Sequence, residues 1–256
     1  MFQWSAIWQY LFSGLFIHAA WTTLWISVVA QFIGVVLGLF LALMRISRLP
    51  ILSWPARAYI WLFRGSPLLV QILILFVGIP ELFPPGTATK VLTPVVCVLI
   101  AFSLNEGAYM AEIVRAGISS VDPGQMEAAK ALGMQHTLGM RRVVIPQAIR
   151  IIIPPLGNEF NNMLKSASLA AVIGLLELTG TAQVYGAQAF NEFELLIVAT
   201  FWYLVLTTLW GYVQRWIEIR LDPDRTPSNA AEKKSWGQRL TGIGSPQGEV
   251  LASRSH

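Results

Sequence analysis

Two stretches of the 256-residue chain place groups that can bind charge inside otherwise apolar sequence. In the first, Asn105, Tyr109 and Glu112 recur at spacings of four and three, so a helix presents them on one face, with Glu106 beside them. In the second, Asn158, Asn161, Asn162, Lys165 and Ser168 form a polar stripe that runs past Glu159. Carboxylates accept hydrogen bonds from a cationic group, while ammonium and amide N–H groups donate to an anionic one. Glu106 or Glu159 therefore suits a ligand cation, and Lys165, Asn158 and Asn162 suit a ligand anion. Within a bilayer each ionisable group costs about 2.5–3.5 kcal/mol to insert, so such groups face protein or a water-filled path. The competing reading is that they hold helices together, satisfied by one another or by a partner subunit. Glu112 and Arg115, three residues apart, read as an ion pair. Arg64-Gly65-Ser66-Pro67 reads either as a carboxylate clamp, since guanidinium pairs bidentately, or as a snorkelling Arg at the start of a crossing.

Other chemistries lack their residues. The single cysteine, Cys97, sits in an apolar run, and His18, His136 and His256 are dispersed, so neither a disulfide framework nor a metal cluster is expected within the chain. No serine or cysteine nucleophile with a paired histidine stands out, as a membrane-integral hydrolase or transferase would need. No Gly-x4-Gly-Lys-[Ser/Thr] phosphate loop occurs, so any transport is powered by another chain or by an ion gradient. No internal repeat of the kind found in ion-gradient carriers is evident.

The elements that must position these residues are membrane helices. The chain is 55% hydrophobic and 12% charged, against about a quarter charged in soluble domains. Five apolar segments predict crossings at about 19–44, 58–79, 92–114, 143–164 and 195–217. Residues 2–17 are rich in Trp and Phe and carry no formal side-chain charge, which suits an interfacial helix. Without Lys or Arg before Arg45, the first apolar stretch reads as retained, not as a cleaved signal. Residues 169–178 are apolar but too short to span and predict a re-entrant or half-crossing element. The net charge of +4 arises from basic residues scattered between apolar runs, which argues for membrane topology and against nucleic acid. They cluster around 45–64, 115–150 and 215–254, predicting an outside N-terminus, an inside C-terminus and a cytoplasmic loop of about 115–142. The chain thus divides into three regions: an external interfacial segment over 1–18, a transmembrane domain over 19–221, and a polar cytoplasmic tail over 222–256 whose composition predicts disorder.

The cytoplasmic loop carries its own signals. Asp122-Pro123 with Gln125 predicts a capped helix start and a short helix over about 123–132. Gly133 ends it, and a second helical stretch passes Arg141 and Arg142 into Pro146 and the membrane. Glu127-Ala128-Ala129, then Gly133, then Val143-Val144-Ile145-Pro146 resembles the EAA loop of permease subunits in binding-protein-dependent ATP-binding cassette importers. Val143 and Ile145 depart mildly from that family's Ile-x-Leu-Pro. The resemblance implies an all-α, polytopic, MetI-like permease fold. It also implies that Glu127, Ala128, Ala129, Gly133 and Pro146 form a coupling element docking in a separate ATPase.

Three further stretches are similar to the branch importing histidine, glutamine, glutamate, arginine and opines: Arg64–Gln71, Leu104–Ile118, and Asn158 through Leu169. Lys165-Ser166-Ala167-Ser168-Leu169 departs from the Lys-Asp-Thr-Ser-Leu common in that branch. This second resemblance implies a bacterial inner-membrane importer for a polar amino acid. Its substrate path would use Glu106, Asn158, Glu159, Asn162 and Lys165, with no cofactor in this chain. ATP and magnesium would sit on the partner ATPase, an extracytoplasmic binding protein would deliver substrate, and a second copy or a sister permease would complete the path.

Overall fold

The computed structural model describes residues 2–221, and every regular element among them is helical. The tail expected over 222–256 lies outside the described residues. One compact unit covers Met1–Trp216, and the remainder, Ile217–His256, includes only the last residues of the final helix among those described.

α1 (Trp4–Leu11) buries Ala6, Ile7 and Leu11 and turns Trp4 and Trp8 outward. The Ser13 hydroxyl then accepts the Phe16 N–H and starts α2 (Gly14–Ile46), so the first long helix begins inside the segment assigned to the interface. At 33 residues α2 is about 50 Å long, well beyond a hydrocarbon core of about 30 Å.

The second crossing is not the straight helix expected over 58–79. It comprises α3 (Pro50–Gly65), α4 (Leu68–Leu73), a π-turn at Ile74–Gly78 and α5 (Ile79–Glu81), bent by 102° between the first two. Pro67 is the cause: it lacks an N–H and drives Ser66 to an extended backbone, φ −107° and ψ 142°. Backbone carbonyls freed at this depth need partners. The Gln71 amide donates to Phe63 O at 3.0 Å and Ser66 O at 3.1 Å, and the Asn105 amide donates to Phe63 O at 2.9 Å.

α6 (Pro94–Ser119), capped by Thr93, packs along α2. Glycines set how closely the two helices approach. A Cβ on Gly34 would lie 2.6 Å from Glu106 Cβ, one on Gly38 2.3 Å from Met110 Cβ, and one on Gly107 2.7 Å from Leu37 Cδ2. Small residues at such spacing let membrane helices meet backbone to backbone.

After the loop helices α7 (Pro123–Ala131) and α8 (His136–Gly139), a π-turn at Met140–Val144 leads without interruption into α9 (Ile145–Ser166). Both π-turns end two residues before a proline, Pro80 and Pro146, where the missing N–H and the ring disturb the i→i−4 ladder. α9 tightens into a 3₁₀ segment at Ala167–Ile173, breaks at left-handed Gly174, and resumes as α10 (Leu178–Ala189) at a 43° bend. The short apolar stretch 169–178 is thus a break within a helix pair. α11 (Glu192–Leu221) completes the described chain.

Among the described residues, three helices are long and apolar enough to cross a membrane, and the two bent pairs raise the number to five. The central core joins Ile26 and Ala30 of α2, Val98, Ala101 and Phe102 of α6, and Met163 and Ala167 at the end of α9.

Candidate functional site

The first site is the loop. The Asp122 carboxylate accepts the Gly124 N–H at 2.7 Å, as its place before Pro123 predicts. Gln125 closes no capping box: its side-chain oxygen accepts from Gln147 at 3.2 Å, tying the start of α7 to α9. At the other end Gly133 takes a left-handed φ of 79°, with its N–H on Lys130 O at 2.9 Å and Met134 N–H on Ala129 O at 3.0 Å. The chain thereby reverses toward α8.

The small pair of the motif divides its work. Ala129 is 3% exposed and packs with Met126 against Gly139, so it does not lie on the outer face expected of it. Glu127 and Ala128 point outward and are joined on that face by Ala131 and Leu132, the last 78% exposed. Reading the motif alone misses Ala131 and Leu132; their i+3 and i+4 positions after Ala128 are the signal that places them. Val121, Val144 and Ala148 form a small core beneath the loop, and Pro146 stands exposed in the first turn of α9.

The second site lies where α6 and α9 meet the break of the second crossing. Arg64, at that break, holds its guanidinium 5.1 Å from the ring centroid of Tyr109 and acts electrostatically on Glu159. It is exposed at the end of α3, with the Tyr109 ring of α6 beside it. Glu159 also interacts with the Asn162 amide. Tyr59 donates to Leu104 O at 2.7 Å, fixing α3 against α6.

Glu106 lies inside the α2–α6 contact. It is 4% exposed, opposite Gly34, and accepts from the Gln31 amide at 2.8 Å, which makes it a link between α2 and α6. Glu159 is its charged neighbour. Asn158, Asn162 and Lys165, by contrast, lie exposed along one face of α9 at spacings of four and three. Asn158 accepts from Gln214 at 3.2 Å, and Lys165 makes no ion pair among the described residues. Glu112 pairs with Arg115 at 3.0 Å, as read from the sequence, and also with Arg45 of α2.

Gln31 and Gln71 are functional supports that sequence reasoning passes over, although each is a lone amide in apolar surroundings. Glu177 is missed too. Fully buried, it caps α10 by accepting Thr179 N–H at 3.0 Å and Gly180 N–H at 2.8 Å, and it receives the Tyr203 hydroxyl at 2.6 Å.

The arginine transport system permease protein ArgU of Corynebacterium glutamicum is 39% identical over 240 residues, covering 91% of this chain and 76% of that one. The octopine transport system permease protein OccM of Rhizobium meliloti is 42% identical over 211 residues, covering 79% and 85% respectively. Among solved structures, an amino acid ABC transporter crystallised with histidines superposes with a TM-score of 0.73 at 40% identity, over 80% of this chain and 94% of the other. Residues 34–223 match the model of the binding-protein-dependent transport system inner membrane component. A match over that much of the chain, carrying the bent second crossing, the α7–Gly133 turn and the polar face of α9, places this protein in the family of binding-protein-dependent transport system inner membrane components.

Proposed function

We propose that this chain is the permease subunit of an ATP-binding cassette importer for a polar amino acid in a bacterial cytoplasmic membrane. The observation that carries the substrate reading is the exposed row of Asn158, Asn162 and Lys165 on a membrane helix, with Glu159 among them and the Arg64 charge within electrostatic reach of it. Polar groups at that depth require water, ligand or a partner chain. A zwitterion satisfies both signs at once: its carboxylate takes donors from Arg64 or Lys165, and its ammonium takes acceptors from Glu159 and the Asn amides. The relatives named for arginine and octopine transport carry substrates of this class, and the similar solved structure is an amino acid ABC transporter.

Energy enters from outside the chain. Glu127, Ala128, Ala131 and Leu132 offer a compact outward face for a separate ATPase, which holds ATP and magnesium. Gly133 sets the turn that presents this face, and Pro146 passes it into α9. The basic residues put this loop in the cytoplasm, with the N-terminus outside, the C-terminus inside and α1 at the outer lipid interface. An extracytoplasmic binding protein delivers substrate, and a second copy or a sister permease covers the α9 face.

The test is uptake of radiolabelled amino acids by proteoliposomes holding the permease, its ATPase and its binding protein. Saturable, ATP-dependent uptake of one polar amino acid is expected, with Lys165→Met altering its rate or its half-saturating concentration. Absence of ATP-dependent uptake across a full amino-acid panel would refute the reading.

A further inference from the structure

Asn158, at the start of the exposed α9 row, is held by a second helix. The Trp210 indole N–H of α11 donates to Gly157 O at 2.8 Å, and its ring meets Phe160 edge to face at a centroid distance of 4.4 Å. Gln214, one turn further along α11, rests on the same glycine. A Cβ on Gly157 would lie 2.6 Å from Gln214 Cδ and 2.7 Å from its Cγ, so only a residue without a side chain lets the glutamine lie this close. From there the Gln214 amide donates to Pro154 O at 3.3 Å and to Asn158 Oδ1 at 3.2 Å.

These two contacts fix which way both amides point. A backbone carbonyl only accepts, so the Gln214 group beside Pro154 O is its amino group. The same amino group faces Asn158, whose nearer atom is therefore the oxygen. The Asn158 amino group is left turned away from Gln214 on an exposed side chain, without a partner among the described residues. A free asparagine offers donor or acceptor equally well. Held in this way it offers N–H donors, the complement of a carboxylate, while Glu159, next in sequence and half-buried, offers acceptors, the complement of an ammonium. The Trp210–Gly157 and Gln214–Pro154 bonds already join α11 to α9. What the Asn158 contact adds is the orientation of an exposed amide.

We propose that Gln214 is a positioning residue for the substrate: by holding Asn158 Oδ1 it presents the Asn158 amino group to the carboxylate of the transported amino acid. The inference rests on the reading of the α9 row as the substrate path. It divides that row's work, giving Asn158 the donor role alongside Arg64 or Lys165 and leaving the ammonium to Glu159 and Asn162.

The experiment measures binding to the permease assembled with its ATPase in lipid nanodiscs. The probes are L-arginine, L-histidine, L-glutamine and L-glutamate, each beside its α-carboxamide, which lacks the carboxylate charge. The readout is the ratio of the two affinities on one preparation, from which any loss of active protein cancels. Gln214→Glu is nearly the same size and reverses the contact: its carboxylate accepts from the Asn158 amino group, so the amide turns and its oxygen faces the path. The wild type is expected to favour one of the amino acids over its carboxamide, and Gln214→Glu to lower that ratio about tenfold or more, the size of effect for a hydrogen bond to a charged group. Asn158→Leu is expected to lower it similarly, and adding Gln214→Glu to Asn158→Leu to change it less than about twofold, because Gln214 acts through Asn158. Asn158→Asp, which offers acceptors in either orientation, carries the same expectation without altering α11. An equal effect of Gln214→Glu with and without Asn158 would show charge repulsion or a structural role and overturn the proposal, as would wild-type ratios in both Gln214→Glu and Asn158→Asp. A wild type that binds none of the four amino acids would overturn the substrate-path reading as well.

Discussion

Replacing Gly133 isolates a purely conformational contribution to coupling. A Cβ added there meets nothing within 4 Å, so steric clash is absent and only the φ of 79° resists substitution. For an L-residue the left-handed conformation costs about 1–2 kcal/mol. Asn tolerates it at a smaller cost, and a β-branched residue tolerates it least. With about 1.4 kcal/mol per factor of ten, Gly133→Ala should lower the population of the docking-competent turn by roughly 5- to 30-fold. Gly133→Asn should lower it by less, and Gly133→Val by at least as much as Ala. On the coupling reading, these populations appear as increases in the ATPase concentration that half-saturates the reconstituted permease, at unchanged insertion into the membrane. The order Gly, Asn, Ala, Val is the signature. An Asn variant as impaired as Val, or a Val variant equal to wild type, would show that the turn's backbone does not govern docking.

Three other perturbations test the same geometry. Gly38→Ala drives a Cβ to 2.3 Å from Met110 Cβ and 2.9 Å from Ala111 N, so α2 and α6 must separate; overpacking of this kind costs about 1–3 kcal/mol. A lowered melting temperature is expected, whereas Gly211→Ala, with nothing within 4 Å of the new methyl, should hold or gain stability. Gln71→Ala deprives Phe63 O and Ser66 O of a donor at the break of the second crossing, and about 1–3 kcal/mol of stability should be lost in a thermal melt. A cysteine introduced at exposed Gln135, in a chain with Cys97 replaced, should resist an impermeant thiol reagent applied to intact cells; labelling from outside would reverse the proposed topology.

The sequence exposes most clearly those features that have a one-dimensional period or a fixed spacing. Asp122-Pro123, Gly133 and the Glu112–Arg115 pair are local, and each occupies the role its chemistry predicts. Apolar run length likewise announces the three long apolar helices and the two bent pairs. What the run length hides is the 102° break at Ser66-Pro67, because the segments on either side are both apolar enough on average to be read as one crossing despite Arg64-Gly65-Ser66-Pro67 between them. Gln31 and Gln71 are hidden for a related reason. Each is a single amide whose purpose is set by distant partners, Glu106 on α6 and the open carbonyls of Phe63 and Ser66. Ala129 shows the reverse error: a motif spacing taken as one surface divides in three dimensions, with one alanine packed inward and its neighbour outward.

The two acidic residues assigned together to the substrate path should respond differently to loss of charge. Glu106 takes the Gln31 amide on one carboxylate oxygen at 2.8 Å, beneath Gly34. A glutamine there retains an acceptor oxygen, nearly the same volume and the same neighbour, so Glu106→Gln should keep assembly and most transport. Glu106→Ala instead leaves the Gln31 donor buried without its partner, a desolvation penalty of about 1–3 kcal/mol. Glu159 is half-buried on the α9 side, within electrostatic reach of Arg64 and close to Asn162. Glutamine preserves volume here but removes the negative charge near Arg64. Transport kinetics of Glu159→Gln should therefore change in half-saturating substrate concentration or in amino-acid preference, while the variant still assembles with its ATPase. Uptake assays on Glu106→Gln, Glu106→Ala and Glu159→Gln, run beside melting curves, separate the roles. If Glu106→Gln abolishes uptake at unchanged stability while Glu159→Gln transports normally, the assignment is inverted, and the charge that matters to the substrate is the one buried against α2.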